Sequence, residues 1–234
     1  FVAAAFSFVA VTLGVAALVI VMSGMNGVRA DLFDKIVGLN GHAVVQGFGG
    51  RLNDWRDVLK EAEATPEVVS ATPLIEQPLL TTFSGRVEGI LLRGMTVEDI
   101  RRNDVLGGKV LQGNLRSLTP GSGNVAIGSE LARNLGATVG SNITIINPAG
   151  RSTPFGTVPR EISYRVSAVF EIGVYDFDKL YVVMPMEDAQ LLLLIGATVG
   201  MIEVKTADPD RVGEILQPLA EKVAAQAVVS DWRQ

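Results

Sequence analysis

The first 28 residues, Phe1 to Val28, contain no Asp, Glu, Lys, Arg or His, and the first charge of the chain is Arg29. Such a segment has no polar face to turn toward water. About 20 apolar residues, each rising about 1.5 Å, cross a hydrocarbon core. The pattern therefore predicts a transmembrane helix over 1–28, with everything after it a tethered domain. A secretory signal peptide is the rival reading. Its apolar region usually runs about 7–15 residues behind a basic segment, whereas this run is longer and has no basic residue before it. A buried helix of a soluble protein is a third reading, disfavoured by the length of the uncharged run. Ala3, Ala4, Ala5, Ser7, Gly14, Ala16 and Ala17 would let a second helix approach closely, which predicts packing in a bundle. The chain opens at Phe1 and not Met, so further residues are expected upstream.

All charge lies beyond that segment, with 20 Lys and Arg against 25 Asp and Glu. The signs are mixed along the chain, and the only adjacent basic pair is Arg101-Arg102. A phosphate backbone demands a basic stripe, so nucleic acid is excluded as a partner. The absence of cysteine removes disulfides, thiol catalysis and thiolate metal sites. Arg29, Asp31, Asp34 and Lys35 balance one another just after the apolar run. A cytoplasmic flank carries an excess of Lys and Arg, so the domain is expected on the far side of the membrane.

Periodicity divides that domain into short elements. A helix is predicted over Asp31–Leu39 and a strand over His42–Gln46, closed by Gly47, Gly49 and Gly50. Leu52, Trp55, Val58, Leu59 and Ala62 mark an amphipathic helix that stops at Thr65-Pro66. Strands follow at Val68–Leu74, Pro78–Phe83 and Val87–Leu92, broken at Glu76-Gln77 and at Ser84-Gly85. Thr96 and Asp99 read as the cap of a short helix. Leu106–Gly123 reads mostly as loop. Ser129 is expected to cap a two-turn helix ending at Gly136. A strand follows at Ile143–Ile146, and the alternation of Ser163–Phe170 puts Tyr164, Val166, Ala168 and Phe170 on one side.

A strand at Leu180–Met184 leads to a helix at Met186–Ile195 that ends at Gly196, then to a strand at Met201–Lys205. The string Gly-Ala-Thr-Val-Gly occurs at 136–140 and at 196–200, and reads as two helix-turn-strand corners with the same glycine chemistry. Asp208-Pro209 begins a last helix, striped by Val212, Ile215, Leu216, Leu219 and Val223. Pro218 should kink or shorten it. Ala227–Val229 is the closing strand. A β-α-β-β unit and a β-α-β unit thus bracket a β-rich stretch, which predicts an α+β domain carrying an inserted subdomain.

Catalytic constellations are missing. His42 is the one histidine and there is no cysteine, so a structural role is the stronger reading. Leu106-Gly107-Gly108-Lys109-Val110 lacks the spacing and final hydroxyl of a phosphate loop. Ser129, in Ile-Gly-Ser-Glu-Leu, does not stand in a nucleophile elbow. Asp176 and Asp178 read as turn residues. No cofactor and no metal are expected.

The most unusual soluble stretch is PAGRSTPFGTVPRE, residues 148–161, with Pro148, Pro154, Pro159 and the aromatic Phe155. It is long for a connection inside a compact domain. Prolines stiffen it, and a stiff loop with an apolar tip loses little entropy on docking. Composition alone leaves a docking loop and an ordinary mobile hairpin loop equally open.

These residues resemble a family. The run LGVAALVIVMSGMNGVRADLFDKIVGLNGHAVV is similar to the first helix and its exit in LolC/LolE-type permease subunits of lipoprotein-releasing ABC transporters. TPFGTVPRE resembles the LolC-type hook, a hairpin that engages the periplasmic carrier LolA. VAIGSELARNLGATVGSNITI and YRVSAVFEIGVYDFDKLYVVMPMEDAQLLL resemble the periplasmic core shared with MacB-type transporters. Ser230-Asp231-Trp232-Arg233 resembles the return into a second membrane helix.

The resemblance implies an α+β MacB-type periplasmic domain behind an inner-membrane helix, with residues from about 29 onward in the periplasm. It implies a Porter-like βαβ subdomain over 29–104 and 196–234, and an inserted Sabre-like β-rich subdomain over 105–195 carrying the hook hairpin at 148–161. The hook would comprise Arg151, Ser152, Thr153, Pro154, Phe155, Gly156, Thr157, Val158, Pro159 and Arg160, with Pro154 and Phe155 at its tip. Where relatives carry polar or basic residues beside the hook base, this chain has Thr144, Glu161 and Ile162, and Arg160 is the candidate substitute. The implied partners are a LolA-like carrier, a separate LolD-like ATPase that hydrolyses ATP, a second permease subunit and the lipoprotein itself. Further apolar spans would follow Gln234. An efflux domain of MacB type or a signalling domain of FtsX type shares the core and is the alternative; an anchored enzyme is a third.

Overall fold

The computed structural model describes residues 11–25, 41–103, 106, 108–153 and 156–231. The predicted helix at Asp31–Leu39 and the hook tip, Pro154 and Phe155, lie outside the described residues. The chain divides into two units, Phe1–Asn40 and Gly41–Gln234.

In the first unit residues 11–25 are helical, and all of them are exposed. Val15 is 56% exposed and Met25 73%. Among the described residues no helix is long and apolar enough to cross a membrane. At about 1.5 Å per residue, 11–25 covers about 22 Å of a core about 30 Å thick. The rest of the predicted 1–28 span lies outside the described residues.

The second unit has a mixed α/β fold. Its elements are β1 (Ala43–Gly47), α1 (Trp55–Glu63), β2 (Val68–Phe83), β3 (Arg86–Met95), α2 (Val97–Arg102), β4 (Val110–Gly113), β5 (Asn124–Gly128) and α3 (Ser129–Leu135). They continue as β6 (Asn142–Thr153), β7 (Gly156–Phe170), α4 (Tyr175–Leu180), β8 (Tyr181–Pro185), α5 (Met186–Leu193), β9 (Met201–Thr206), α6 (Val212–Val223) and β10 (Ala227–Asp231). The strands lie in the order β10-β1-β9-β2-β3-β8-β5-β7-β4, while β6 pairs with both β2 and β7. Those last pairings close a ring, β2-β3-β8-β5-β7-β6. The strands β10, β1 and β9 extend the sheet beyond it.

One strand joins the two halves. β2 pairs with β9 from Val68 to Leu74 and with β6 from Leu80 to Thr82, while β3 runs along it from Leu74 to Phe83. The break predicted at Glu76-Gln77 is absent, because Glu76 lies opposite Arg93 in the ladder and Gln77 opposite Leu92. The Glu76 carboxylate is met by the Arg93 guanidinium at 3.5 Å. A polar pair that reads as a turn is here an ion-paired rung.

The ring is filled from alternate positions. Ile90 and Leu92 of β3, Val182 and Met184 of β8, Val125 and Ile127 of β5, and Ile143 and Ile145 of β6 join one apolar cluster. Met186, Ala189 and Leu192 of α5 and Leu131 and Leu135 of α3 belong to the same cluster. β7 departs from the predicted alternation. Its register against β5 shifts between Val166 and Ala168, so Ser167 bulges. Tyr164, Val166 and Val169 therefore join the cluster, and Ala168 and Phe170 are buried outside it.

Other sequence expectations are corrected locally. Val110–Gly113, expected as loop, forms an edge strand on the end of β7. α3 starts at Ser129, but its N-cap is Gly128, and no side chain among the described residues caps it. A Cβ on Gly128 would lie 2.2 Å from the Asp178 carbonyl oxygen, so only glycine fits there. The left-handed residue ending α5 is Leu194, at φ 57°, two residues before Gly196. α6 runs unbroken through Pro218. That residue is exposed, so the carbonyl its missing N–H leaves unpaired can meet water, and the buried stripe holds the helix. Asp208 caps a 3-10 turn, Pro209–Arg211, before α6 begins. The Thr96 cap forms as predicted, its hydroxyl accepting from the Asp99 N–H at 3.1 Å.

Candidate functional site

The stretch 148–161 is no open loop. β6 and β7 stay paired from Asn142 opposite Arg165 out to Thr153 opposite Gly156. Beyond Asn147 the pairing leaves the ring, so the hairpin projects from it. Its register shifts between Asn147 and Arg151, where Pro148, Ala149 and Gly150 stand against Pro159. Both prolines fall in that gap, where no ladder N–H is required. The sequence signals that suggested a loop mark a bulge in a continuing hairpin.

The bulge is built tightly. Asn147 is 5% exposed, and its Oδ1 accepts from the Ala149 N–H at 3.1 Å. A Cβ on Gly150 would lie 2.1 Å from the Val158 carbonyl oxygen and 2.7 Å from the Arg160 nitrogen. The two strands can approach this closely only because residue 150 is glycine. Sequence reasoning named neither Asn147 nor Gly150; an Asn followed by Pro-Ala-Gly is the signal that could have found them.

Gly156, Thr157, Val158 and Pro159 are exposed and Arg160 is half-buried. Backbone pairing places Arg151 opposite Val158, Ser152 opposite Thr157 and Thr153 opposite Gly156. Val158 offers an apolar side chain, 55% exposed, near the end of the arm. Gly156 takes φ 124°, a conformation that suits glycine alone.

The base of the arm is polar. Of the positions singled out there, the Thr144 hydroxyl is bonded to the Ser163 hydroxyl at 3.0 Å, and Ile162 packs against the apolar cluster. Arg160 lies opposite Asn147. The Nε of Arg160 is buried, with no hydrogen-bond partner among the described residues. On α5, Asp188 is 6% exposed; its Oδ1 accepts from the Gly121 N–H at 2.8 Å. Burial raises the Asp188 carboxyl above the usual range, with that N–H opposing and Glu187 adding to the rise. Burial, with the Asp188 charge, pushes Tyr164 up to about 12, and Arg160 opposes.

The remaining candidates are structural. His42 is buried, and its Nδ1 accepts the Thr206 N–H at 3.0 Å. Asp178 accepts from the Ile172 and Gly173 N–H groups at 2.6 and 3.0 Å and closes the turn before α4. The Ser129 hydroxyl is buried, with no hydrogen-bond partner among the described residues. Among the described residues no cluster of three or more His, Asp or Glu is placed to hold a metal. A cleft of about 620 Å³ lies against the β4 edge, lined by Arg101, Val110, Gly113, Asn114, Leu115 and Arg116.

The fold of this unit is similar to that of the extracellular domain of the noncanonic ABC-type transporter YknZ from Gram-positive bacteria. The extracellular domain of that protein superposes with a TM-score of 0.53 at 12% identity, over 78% of this chain and 91% of that one. The family model of the MacB-like periplasmic core domain matches residues 4–222, and the chain belongs to that family.

The lipoprotein-releasing system transmembrane protein LolC of Neisseria meningitidis serogroup B is 30% identical over 227 residues, covering 97% of this chain and 55% of LolC. LolC of Xylella fastidiosa strain Temecula1 is 31% identical over 226 residues, covering 97% of this chain and 54% of that protein. LolE of Haemophilus influenzae is 22% identical over 212 residues, covering 88% of this chain and 50% of that protein. The chain thus spans about half the length of these curated relatives.

Proposed function

We propose that this chain is part of a permease subunit of a lipoprotein-releasing ABC transporter, and that its projecting hairpin is the hook that captures a periplasmic carrier. The observation that carries the reading is the arm itself: a paired hairpin, locked at its base by Asn147 and Gly150, with Val158 exposed near its end. A preorganised arm docks without first ordering itself. The likeness to LolC over 97% of this chain supports it from the side of sequence.

Residues 1–28 anchor the domain in the bacterial inner membrane as a transmembrane helix, and residues from about 29 lie in the periplasm. The exposed apolar side chains of 11–25 fit lipid or neighbouring helices as their surroundings. Residues 29–104 and 196–234 form the Porter-like part and 105–195 the Sabre-like part. β2 and β3 enter the ring, so the two parts share a wall. The subunit itself is no enzyme. ATP hydrolysis belongs to a LolD-like partner, a second permease subunit completes the membrane path, and the cargo is a lipoprotein passed to a LolA-like carrier.

The test replaces Pro154 with Gly and Phe155 with Ser in the full-length permease and measures pull-down of purified LolA-type carrier. Loss of capture with unchanged membrane insertion is expected. Capture at the original level would reject the assignment.

A further inference from the structure

Arg93 stands on β3, in the wall of the ring, and is 3% exposed. Its Nη2 donates to the Glu203 carboxylate on β9 at 2.6 Å, and its Nε lies 3.5 Å from the Glu76 carboxylate on β2. Its guanidinium carbon lies 5.2 Å from the ring centroid of Tyr181 on β8. One side chain on β3 thus engages three other strands.

The register shows how far it reaches. Glu76 is directly opposite Arg93, but Glu203 is opposite Thr72. Thr72, Leu74 and Glu76 alternate onto the same face of β2, so the side chain crosses β2 on a diagonal. It crosses at a particular place. The pairing of β2 with β9 ends at Leu74 and its pairing with β6 begins at Leu80. Between those residues that edge of β2 has no paired strand among the described residues, and there the ring and the extending strands are held together by β2.

A buried ion pair is a weak source of stability, because desolvation offsets the attraction and apolar residues of similar size do as well. What a guanidinium fork adds is fixed geometry. We propose that Arg93 is a positioning residue, a diagonal brace that sets the angle between the ring bearing the hairpin and the strands β9, β1 and β10. Bracing β9 against β3 makes one lever of two half-sheets, so movement at either end reaches the other. Its value for transport rests on the hook reading above; the brace itself does not.

The experiment uses the full-length chain, which has no cysteine in this region to remove. Spin labels are placed at Val87→Cys on the ring and Val228→Cys on β10, both exposed positions, and the distance distribution between them is measured. Arg93→Met is expected to broaden it, Glu203→Gln to broaden it less, and Arg93→Lys to leave it between Met and the native residue. Glu203→Gln keeps the shape of the site and decides the matter where Arg93→Met does not fold. In the assembled transporter, ATP-driven release of a lipoprotein should fall about tenfold in Arg93→Met, the scale of a lost coupling, while carrier capture stays unchanged. A distribution as narrow as that of the unaltered protein in Arg93→Met, or in Glu203→Gln where that variant stands in, would overturn the brace. Absence of carrier capture by the unaltered protein would instead overturn the hook reading, and the distance measurement would still judge the brace.

Discussion

Gly150 lies so close to Val158 that a Cβ on it would stand 2.1 Å from the Val158 carbonyl oxygen. The contact sits where three residues of β6 face Pro159, at the bulge between the ring and the outer hairpin.

Gly150→Ala should therefore prise the two strands apart. The obstacle is backbone, which cannot rotate away as a side chain could. A local cost of about 1–3 kcal/mol is expected, the scale of overpacking. Amide exchange of Thr157 and Val158 should speed up and carrier capture should weaken. Native exchange rates in the variant would refute the packing argument.

Asp178 is buried, and its two oxygens accept from the Ile172 and Gly173 N–H groups. Asp178→Ala leaves both donors without that acceptor and should cost about 2–4 kcal/mol of stability in urea unfolding, since charge-assisted bonds are the stronger kind. Asp178→Asn keeps one acceptor and should lose less. Equal losses would show that the turn is held by something else.

His42 gives a pH dependence. Burial lowers its pKa, Lys205 lowers it further, and the hydrogen bond with Thr206 opposes. The folded state therefore binds the proton less well than the unfolded chain does. The stabilising share is fully present above the unfolded value of about 6.5 and is lost as pH falls through the lower folded value. Thermal melting scanned downward from pH 7.5 should show a decline that His42→Gln flattens. A decline of the same size in the variant would assign the effect to other groups.

Much of the fold is written in local signals. The Thr96 cap, the stripe of α6 and the face of α1 depend on neighbours in sequence, and they appear in the structure where spacing puts them. What could not be read depends on partners far along the chain. Glu76-Gln77 resembles a break until Arg93 stands opposite it. The alternation of β7 looks unbroken until β5 forces the bulge at Ser167. The hairpin shows the same limit. Its prolines are plain in the sequence, but its pairing depends on Asn147 and Gly150, which look like ordinary loop residues until the strands meet.

The passage of β2 through both the ring and its extension has an engineering consequence. Transplanting the hairpin-bearing half into another protein would mean carrying residues 68–95 along, although they precede the rest of that half in the chain. A graft cut after Met95 would leave two staves of the cask behind and spill its apolar filling into solvent.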